Sequence, residues 1–260
     1  MNFFKAGLWI AVLAPLLAAA PGQPGFEELQ KRNKNVAEVY DRKEELIKMR
    51  CRSLEIPDDS FGNILIRVFK AEALLEVWVQ KPDGKYVEFN EYKIYATSGR
   101  LGPKREEGDM QVPEGYYYIR DFKPNSNYYM ALGINYPNQS DEILSDAEHK
   151  GEDIYIHGNH VSAGCMAMSN YYIEDIYICA VKARNYGQQQ IPVEIFPFRP
   201  TIVNFAYFNQ FLDCKPYERF WKNLAEGYNF FEKHQYPPDV SVDTNGKYIF
   251  TDPKATQATK

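Results

Sequence analysis

His157 and Cys165 are the two side chains whose types and spacing could carry out nucleophilic chemistry in this sequence. They close and open the run His157-Gly158-Asn159-His160-Val161-Ser162-Ala163-Gly164-Cys165, with seven residues between them. A thiol attacks a carbonyl well only when a base beside it can take its proton, and the oxyanion that forms needs hydrogen-bond donors. His157 ends Asp153-Ile154-Tyr155-Ile156-His157, which reads as a strand with Ile154 and Ile156 on one face and Tyr155 and His157 on the other. Two glycines in the intervening run let the chain turn back and set the thiol beside the imidazole. Gly164 admits a backbone conformation that strains other residues, and the amides around Gly164-Cys165 could point at a carbonyl oxygen. His160 lies inside the turn and is the rival base. Two other chemistries use the same atoms. His157, His160 and Cys165 are three conceivable zinc ligands, although no CxxC or HExxH pairing is present. A cysteine near a histidine can also be only a small buried hydrophobe.

The elements that must hold these groups are legible on either side. After the thiol, Ser169 or Asn170 is expected to cap a helix with the stripe Ile173, Ile176, Tyr177, Ala180 and Arg184. Glu174 and Asp175 stand early in it, Lys182 and Arg184 late, and Gly187 ends it. The positive end of such a helix lowers the pKa of a nearby thiol. Upstream, Ile64–Phe69 and Leu74–Val79 are rich in β-branched and aromatic residues and are followed by the turn Pro82-Asp83-Gly84. Further strands are expected at Tyr92–Ala96, Gly115–Ile119, Tyr128–Ile134 and Ile191–Phe196, with a long charged loop from Gly99 to Gly108. Strands that follow one another without intervening helices predict an antiparallel, mostly β (α+β) core. Residues 26–50 carry apolar positions at loose helical spacing and predict one or two helices. Residues 201–260 form a different unit: a helix around Phe220–Leu224, a stop at Pro237-Pro238, a short strand at Lys247–Phe250 and a tail from Lys254 expected to be disordered.

Composition narrows the class. The 260 residues are 45% hydrophobic and 25% charged, enough for one sizeable core, and the formal net charge is −5. No clustered Lys/Arg footprint is present, which argues against a nucleic-acid partner. The 20 tyrosines and 16 phenylalanines suit strand and core packing, or a sugar-stacking groove. Lys5, the apolar run Ala6–Leu17 and Ala18-Ala19-Ala20 follow the order of a secretory signal over residues 1–20. The run is short and broken by Pro15 for a membrane span, and an uncleaved anchor is the alternative. Cys51, Cys179 and Cys214 could supply at most one disulfide if Cys165 stays a thiol.

His-Gly, a short gap and Ser-x-Gly-Cys resemble the active-site signature of the YkuD-type L,D-transpeptidase catalytic domain. Val112-Pro113-Glu114-Gly115-Tyr116-Tyr117-Tyr118-Ile119 is similar to that family's Thr-Pro-Glu-Gly turn entering a strand, and Ile134-Asn135-Tyr136-Pro137 to its next strand and turn. Arg67-Val68-Phe69-Lys70, Leu75-Glu76-Val77-Trp78 and the tail pattern Phe220-Trp221, Gly227-Tyr228, Phe231, Pro238 resemble the YafK-like branch. The resemblance covers roughly residues 60–250. It implies a β-sandwich or barrel core with a helix after the cysteine: a signal peptide (1–20), an N-terminal helical segment (21–60), a catalytic domain (61–200) and a helical C-terminal extension packed on it (201–260). It implies a cysteinyl acyl-enzyme on peptidoglycan stem peptides in the periplasm or cell envelope, without cofactor or metal. An envelope protein would serve as a possible acceptor or leaving group. Matched residue by residue, Cys165 is the nucleophile and His157 the base. Gly158 follows the base and could orient its ring, and Ser162 and Gly164 precede the nucleophile. His160, Tyr136 and Lys104 are candidate substrate contacts, although Lys104-Arg105-Glu106-Glu107 also reads as a solvated loop, His160 as an exposed loop residue and Tyr136 as a packing residue. Glu114 reads as the tether of a turn. Many members carry His where Ala163 stands and Arg or Asn where Ala167 stands. The direction of chemistry, transfer or hydrolysis, is therefore open, and a non-catalytic peptidoglycan-binding module is the alternative of another class.

Overall fold

A computed structural model describes residues 25–57, 61–145 and 148–255; the signal expected over residues 1–20 and the end of the tail lie outside these. The strands in chain order are β1 (Ile64–Phe69), β2 (Leu74–Gln80), β3 (Tyr86–Lys93), β4 (Gly115–Ser126), β5 (Tyr129–Ile134), β6 (Tyr155–His157), β7 (Met166–Ala167), β8 (Pro192–Phe196), β9 (Asp239–Val242) and β10 (Tyr248–Thr251). The helices are α1 (Phe26–Lys31), α2 (Lys34–Ser53), α3 (Gln139–Leu144), α4 (Ser169–Asn185), α5 (Ile202–Phe208) and α6 (Glu218–His234). Eight strands form one sheet in the order β3-β2-β1-β8-β4-β5-β6-β7, and β9 and β10 form a separate hairpin. Pairing is antiparallel except at β1·β8 and β6·β7.

The sheet curls. Beyond β3 the chain does not continue as the strand expected through Ala96. Instead the Ala96 amide donates to the Ala167 carbonyl at 3.2 Å and the Ala167 amide to the Ala96 carbonyl at 3.1 Å. That bridge joins the two ends of the eight-strand order, giving the barrel-like curvature expected for this α+β core.

Alternation sorts the two faces of the sheet. Ile64, Ile66 and Val68 of β1 join a core with Val36, Val39 and Ile47 of α2 and Ile173, Ile176 and Ala180 of α4. Phe69, on the opposite face, packs with Phe196, Trp221, Leu224 and Tyr228, and Leu65 with Phe231. Trp221, Leu224, Tyr228 and Phe231 make one apolar stripe on α6, each worth about 1.5–3 kcal/mol when fully buried. Because both faces are covered, all six residues of β1 are buried. Arg67 is therefore a buried charge, and Glu232 at 2.8 Å, Glu194 at 3.6 Å and Glu76 at 3.8 Å compensate it.

A second buried knot ties the C-terminal unit to the loop before β4. Glu114, fully buried, accepts from Lys70 Nζ (2.8 Å), the Gly102 amide (2.8 Å) and Trp221 Nε1 (2.7 Å). It acts as a tether. The start of α4 departs from expectation. Met168 is its N-cap and gives no side-chain hydrogen bond. Ser169 takes a left-handed φ of 67° and donates its amide to the Asn159 carbonyl, while Asn170 Oδ1 accepts from the Asn159 amide. Both residues expected as caps serve the loop before the helix instead.

Candidate active site

The β6·β7 pair brings the thiol and the imidazole to one cavity. Ile156 lies opposite Met166 and His157 opposite Ala167, in parallel register. Ile156 and Met166 are fully buried on the helical face. Tyr155, His157 and, one residue before β7, Cys165 emerge on the other face, because side chains alternate along a strand. The chain does not turn back as expected; it crosses over in a short loop and re-enters parallel to β6. His157 and Cys165 line one cavity of about 580 Å³ with Lys123, Tyr128, Asp153 and Tyr155.

His157 is 1% exposed, and its Nδ1 lies 2.5 Å from the Gly158 carbonyl oxygen. A carbonyl can only accept, so Nδ1 carries the hydrogen and Nε2 is left as the acceptor of the ring. The Tyr128 ring lies against the imidazole, centroids 4.7 Å apart. Burial pushes the His157 pKa below its usual 6.5, and the Gly158 carbonyl opposes the shift. Gly158 itself is wedged. A Cβ there would meet Asn170 Oδ1 at 2.7 Å and the Tyr128 carbonyl at 2.8 Å, and its amide donates to the Met130 carbonyl at 3.0 Å. Only glycine fits where the carbonyl can hold the ring.

Cys165 Sγ donates to the Asp153 carbonyl at 3.7 Å. Burial raises its pKa above 9.0 and the Asp153 carboxylate adds to this, while the Tyr155 amide and Lys104 oppose it. Burial acts against the activation expected from the helix end, and β7 lies between the thiol and α4. Both shifts favour the uncharged forms of thiol and imidazole.

The loop before the thiol is tied by hydroxyls. Gly164 has φ 97°, and its amide donates to Ser98 Oγ at 2.6 Å. Ser98 in turn donates to the Met110 carbonyl at 2.8 Å. The Gly164 amide is thus committed within the protein and not directed at a substrate oxygen. Ser162 lines the cavity, but its hydroxyl donates to the Cys165 carbonyl at 2.6 Å; it fixes the backbone of the thiol rather than standing free for substrate. Ser98 was not singled out in the sequence, and neither were Tyr128, Asp153, Tyr155 and Lys123. Ser98, Lys123 and Tyr128 reach the site through pairing over a long sequence separation, for which the chain carries no local signal. Tyr155 shares a face with His157 on one strand and Asp153 lies two residues before Tyr155, so alternation along β6 could have found both.

Three expected contacts lie outside the cavity lining. His160 is exposed and stacks on Tyr95, centroids 4.1 Å apart. Tyr136 is buried and its hydroxyl donates to the Lys150 carbonyl at 3.0 Å, so it packs. Lys104 is 5% exposed, and its ammonium is held by Asp109 and by the Glu106 carbonyl, each at 2.7 Å. The reading of that segment as a solvated loop fails at Lys104 because Asp109 folds the loop back over it. Among the described residues no group of three or more His, Cys, Asp and Glu side chains is arranged to hold a metal ion.

A curled α+β sheet with a histidine ending one strand and a cysteine entering its parallel neighbour defines the class. Residues 64–195 match the family model described as YkuD, L,D-transpeptidase catalytic domain, and the chain belongs to that family. It is 38% identical over 194 residues to the Escherichia coli (strain K12) protein named "Putative L,D-transpeptidase YafK", covering 73% of this chain and 74% of that protein. Among solved structures it is similar to the helical cell shape determining protein Pgp2 from Campylobacter jejuni, at 19% identity and a TM-score of 0.42 over 70% of this chain and 73% of that one. It is also similar to Bdellovibrio bacteriovorus Bd1075, at 20% identity and a TM-score of 0.39 over 71% and 78%.

Proposed function

We propose that this chain is a cell-wall L,D-transpeptidase that acts on peptidoglycan stem peptides through an acyl-enzyme on Cys165. The observation that carries the reading is the presence of His157 and Cys165 in the lining of one cavity, with Nδ1 pinned so that Nε2 is the acceptor. In the reaction, Sγ attacks the carbonyl of the L-centre of an L,D peptide bond while Nε2 takes the thiol proton. The C–N bond then breaks, and the imidazolium returns that proton to the departing amine. The thioester left on Cys165 passes its acyl group to an acceptor amine, and the thiol is restored. With the Gly164 amide committed to Ser98, the oxyanion would take a hydrogen bond from the amide of Cys165 instead.

Water as the acceptor is the second reading, and Ala167 favours it. That residue is fully buried in the β7 bridge and offers no cationic or amide side chain to orient an incoming amine. The product would then be a trimmed stem peptide, or an envelope protein released from one. The pattern from Lys5 to Ala20 supports a location in the periplasm or envelope. N-terminal sequencing of envelope protein should then begin between about residues 19 and 26, and an intact Met1 in the cytosol would defeat that placement. The decisive test is incubation with purified peptidoglycan, followed by mass analysis of both fragments and protein. An acyl adduct on Cys165 and new cross-links support transfer, and shortened stems alone support hydrolysis. Normal turnover by Cys165→Ala would sink both.

A further inference from the structure

A second cavity, of about 900 Å³, lies between the sheet and the C-terminal unit and shares no residue with the first. Its floor is the outer face of the sheet at Tyr118 and Glu194, and its rim includes Tyr236, Gln139 and Gln190. The chemistry of this lining is unlike that of the Cys165 cavity. Two half-buried phenol rings stand with two exposed carboxamides. Among the described residues the side chains of Tyr118, Gln139 and Gln190 make no hydrogen bond. Glu194 adds a sharper signal. It is 2% exposed, and its Oε2 has no hydrogen-bond partner, Arg67 Nε standing at 3.6 Å as its counter-ion. A buried acceptor left without a donor is costly; Oε2 is turned to Arg67, and the Glu194 side chain contributes a carboxylate to the cavity lining.

The path between the cavities has a defined direction. Tyr117 and Ile119 of β4 point into the helical core, so Tyr116 and Tyr118 face outward. The register shifts between Ile119 and Asp121. After that bulge Phe122 turns inward, and Lys123 turns outward, to line the Cys165 cavity. One extra residue thus keeps Tyr118 and Lys123 on the same face, about 17 Å apart at 3.3–3.4 Å per residue. A peptide of about five extended residues spans that gap.

We propose that the second cavity is a saccharide subsite that takes a β-1,4-linked N-acetylhexosamine strand. Sugar faces would lie on Tyr118 and Tyr236. The acetamido groups and hydroxyls would bond to Gln139, Gln190 and Glu194. The proposal rests on the peptidoglycan reading: the glycan sits here while the stem peptide runs along β4 to Cys165.

The test is calorimetric titration of the full chain with chitotetraose, a tetramer of N-acetylglucosamine that carries no peptide. Saturable binding is expected, weakened at least fivefold by Tyr118→Ala and by Gln139→Ala with Gln190→Ala, and unchanged by Lys123→Ala in the other cavity. The two glutamines are exposed, so their removal leaves the fold intact whatever Tyr118→Ala does. No saturable binding would overturn the proposal, as would binding lost in Lys123→Ala but kept in the glutamine variant, or equal affinity for cellotetraose. Binding is read without turnover. Failure to acylate Cys165 would therefore sink the proposed reaction and leave this measurement standing, and the reverse also holds.

Discussion

Replacement of His157 by Ala separates two ways in which a thiol can be made nucleophilic. In one, the thiolate is stored at rest beside an imidazolium; in the other, the proton moves only as the bond forms. The structure places Cys165 above a pKa of 9.0 and His157 below 6.5, with burial as the leading cause of both shifts. At pH 7 both shifts favour the uncharged thiol and the uncharged imidazole. The base must act in the transition state, where general catalysis contributes about 10²–10⁴-fold, or about 3–5 kcal/mol. His157→Ala should therefore lower kcat/KM at pH 7 by about a hundredfold or more, and His160→Ala, on the exposed ring, by much less. The acid limb of kcat/KM reports protonation of His157. Its folded pKa is depressed, so activity holds as pH falls to about 6.5 and is lost only below that. Alkylation of Cys165 by iodoacetamide should rise through pH 9 with no plateau beneath it. An alkylation plateau near pH 6–7 would show a stored ion pair and refute the reasoning. A greater loss in His160→Ala than in His157→Ala would refute the assignment of the base.

Other changes test the supports of the site. Gly158→Ala forces a Cβ to within 2.8 Å of the Tyr128 carbonyl; overpacking should cost about 1–3 kcal/mol in a denaturant melt, and activity should fall with the displaced ring. Gly164→Ala, at φ 97°, should cost about 1–2 kcal/mol from backbone strain and slow acylation of Cys165, while Ser98→Ala slows acylation with a smaller stability loss. Glu194 is lifted from 4.5 to about 7 by burial, with Glu232 and Glu76 adding and Arg67 opposing. Its folded pKa exceeds its unfolded one, so its contribution is fully present below about pH 4.5 and lost as pH rises through about 7, a fall of about 3 kcal/mol. Glu194→Gln should flatten that slope in melts from pH 4 to 8, and an unchanged slope would refute the account.

What the sequence disclosed depended on the range of the interactions concerned. The strands at β1, β2, β5 and β8 were legible because burial on two faces demands unbroken β-branched and aromatic runs. The 17-residue α4 was legible from its apolar stripe, whereas α6, equally long, was legible only around Phe220–Leu224. Gly158 was singled out only through the resemblance to the family motif, which sets it directly after the base; its lack of a side chain alone does not say that its carbonyl meets the ring. The upward shift of the Cys165 pKa was not legible. Proximity to a helix start can be read along the chain, whereas burial beneath Asp153 and Tyr155 arises only when β6 and β7 pair. Lys104 failed for a related reason. A Lys-Arg-Glu-Glu run reads as solvated until Asp109, five residues on, folds back to hold the ammonium.

The upward shift of the Cys165 pKa has a consequence for survival in the presence of oxidants. Peroxide attacks the thiolate, so the rate of sulfenic acid formation follows the ionised fraction. An enzyme that kept Cys165 ionised would lose it between turnovers. Here burial and the Asp153 carboxylate favour the protonated sulfur, and in the proposed reaction the imidazole takes that proton only as the carbonyl is attacked. Wild-type Cys165 should therefore react with peroxide at pH 7 no faster than an unactivated cysteine in a short peptide. Asp153→Asn keeps the backbone carbonyl that accepts from Sγ but removes the negative charge. The thiol pKa should fall, and oxidation and alkylation at pH 8 should both quicken several-fold. If the wild-type thiol is oxidised faster than the peptide, or the variant more slowly than wild type, Cys165 is not guarded in this way and its reactivity has another origin.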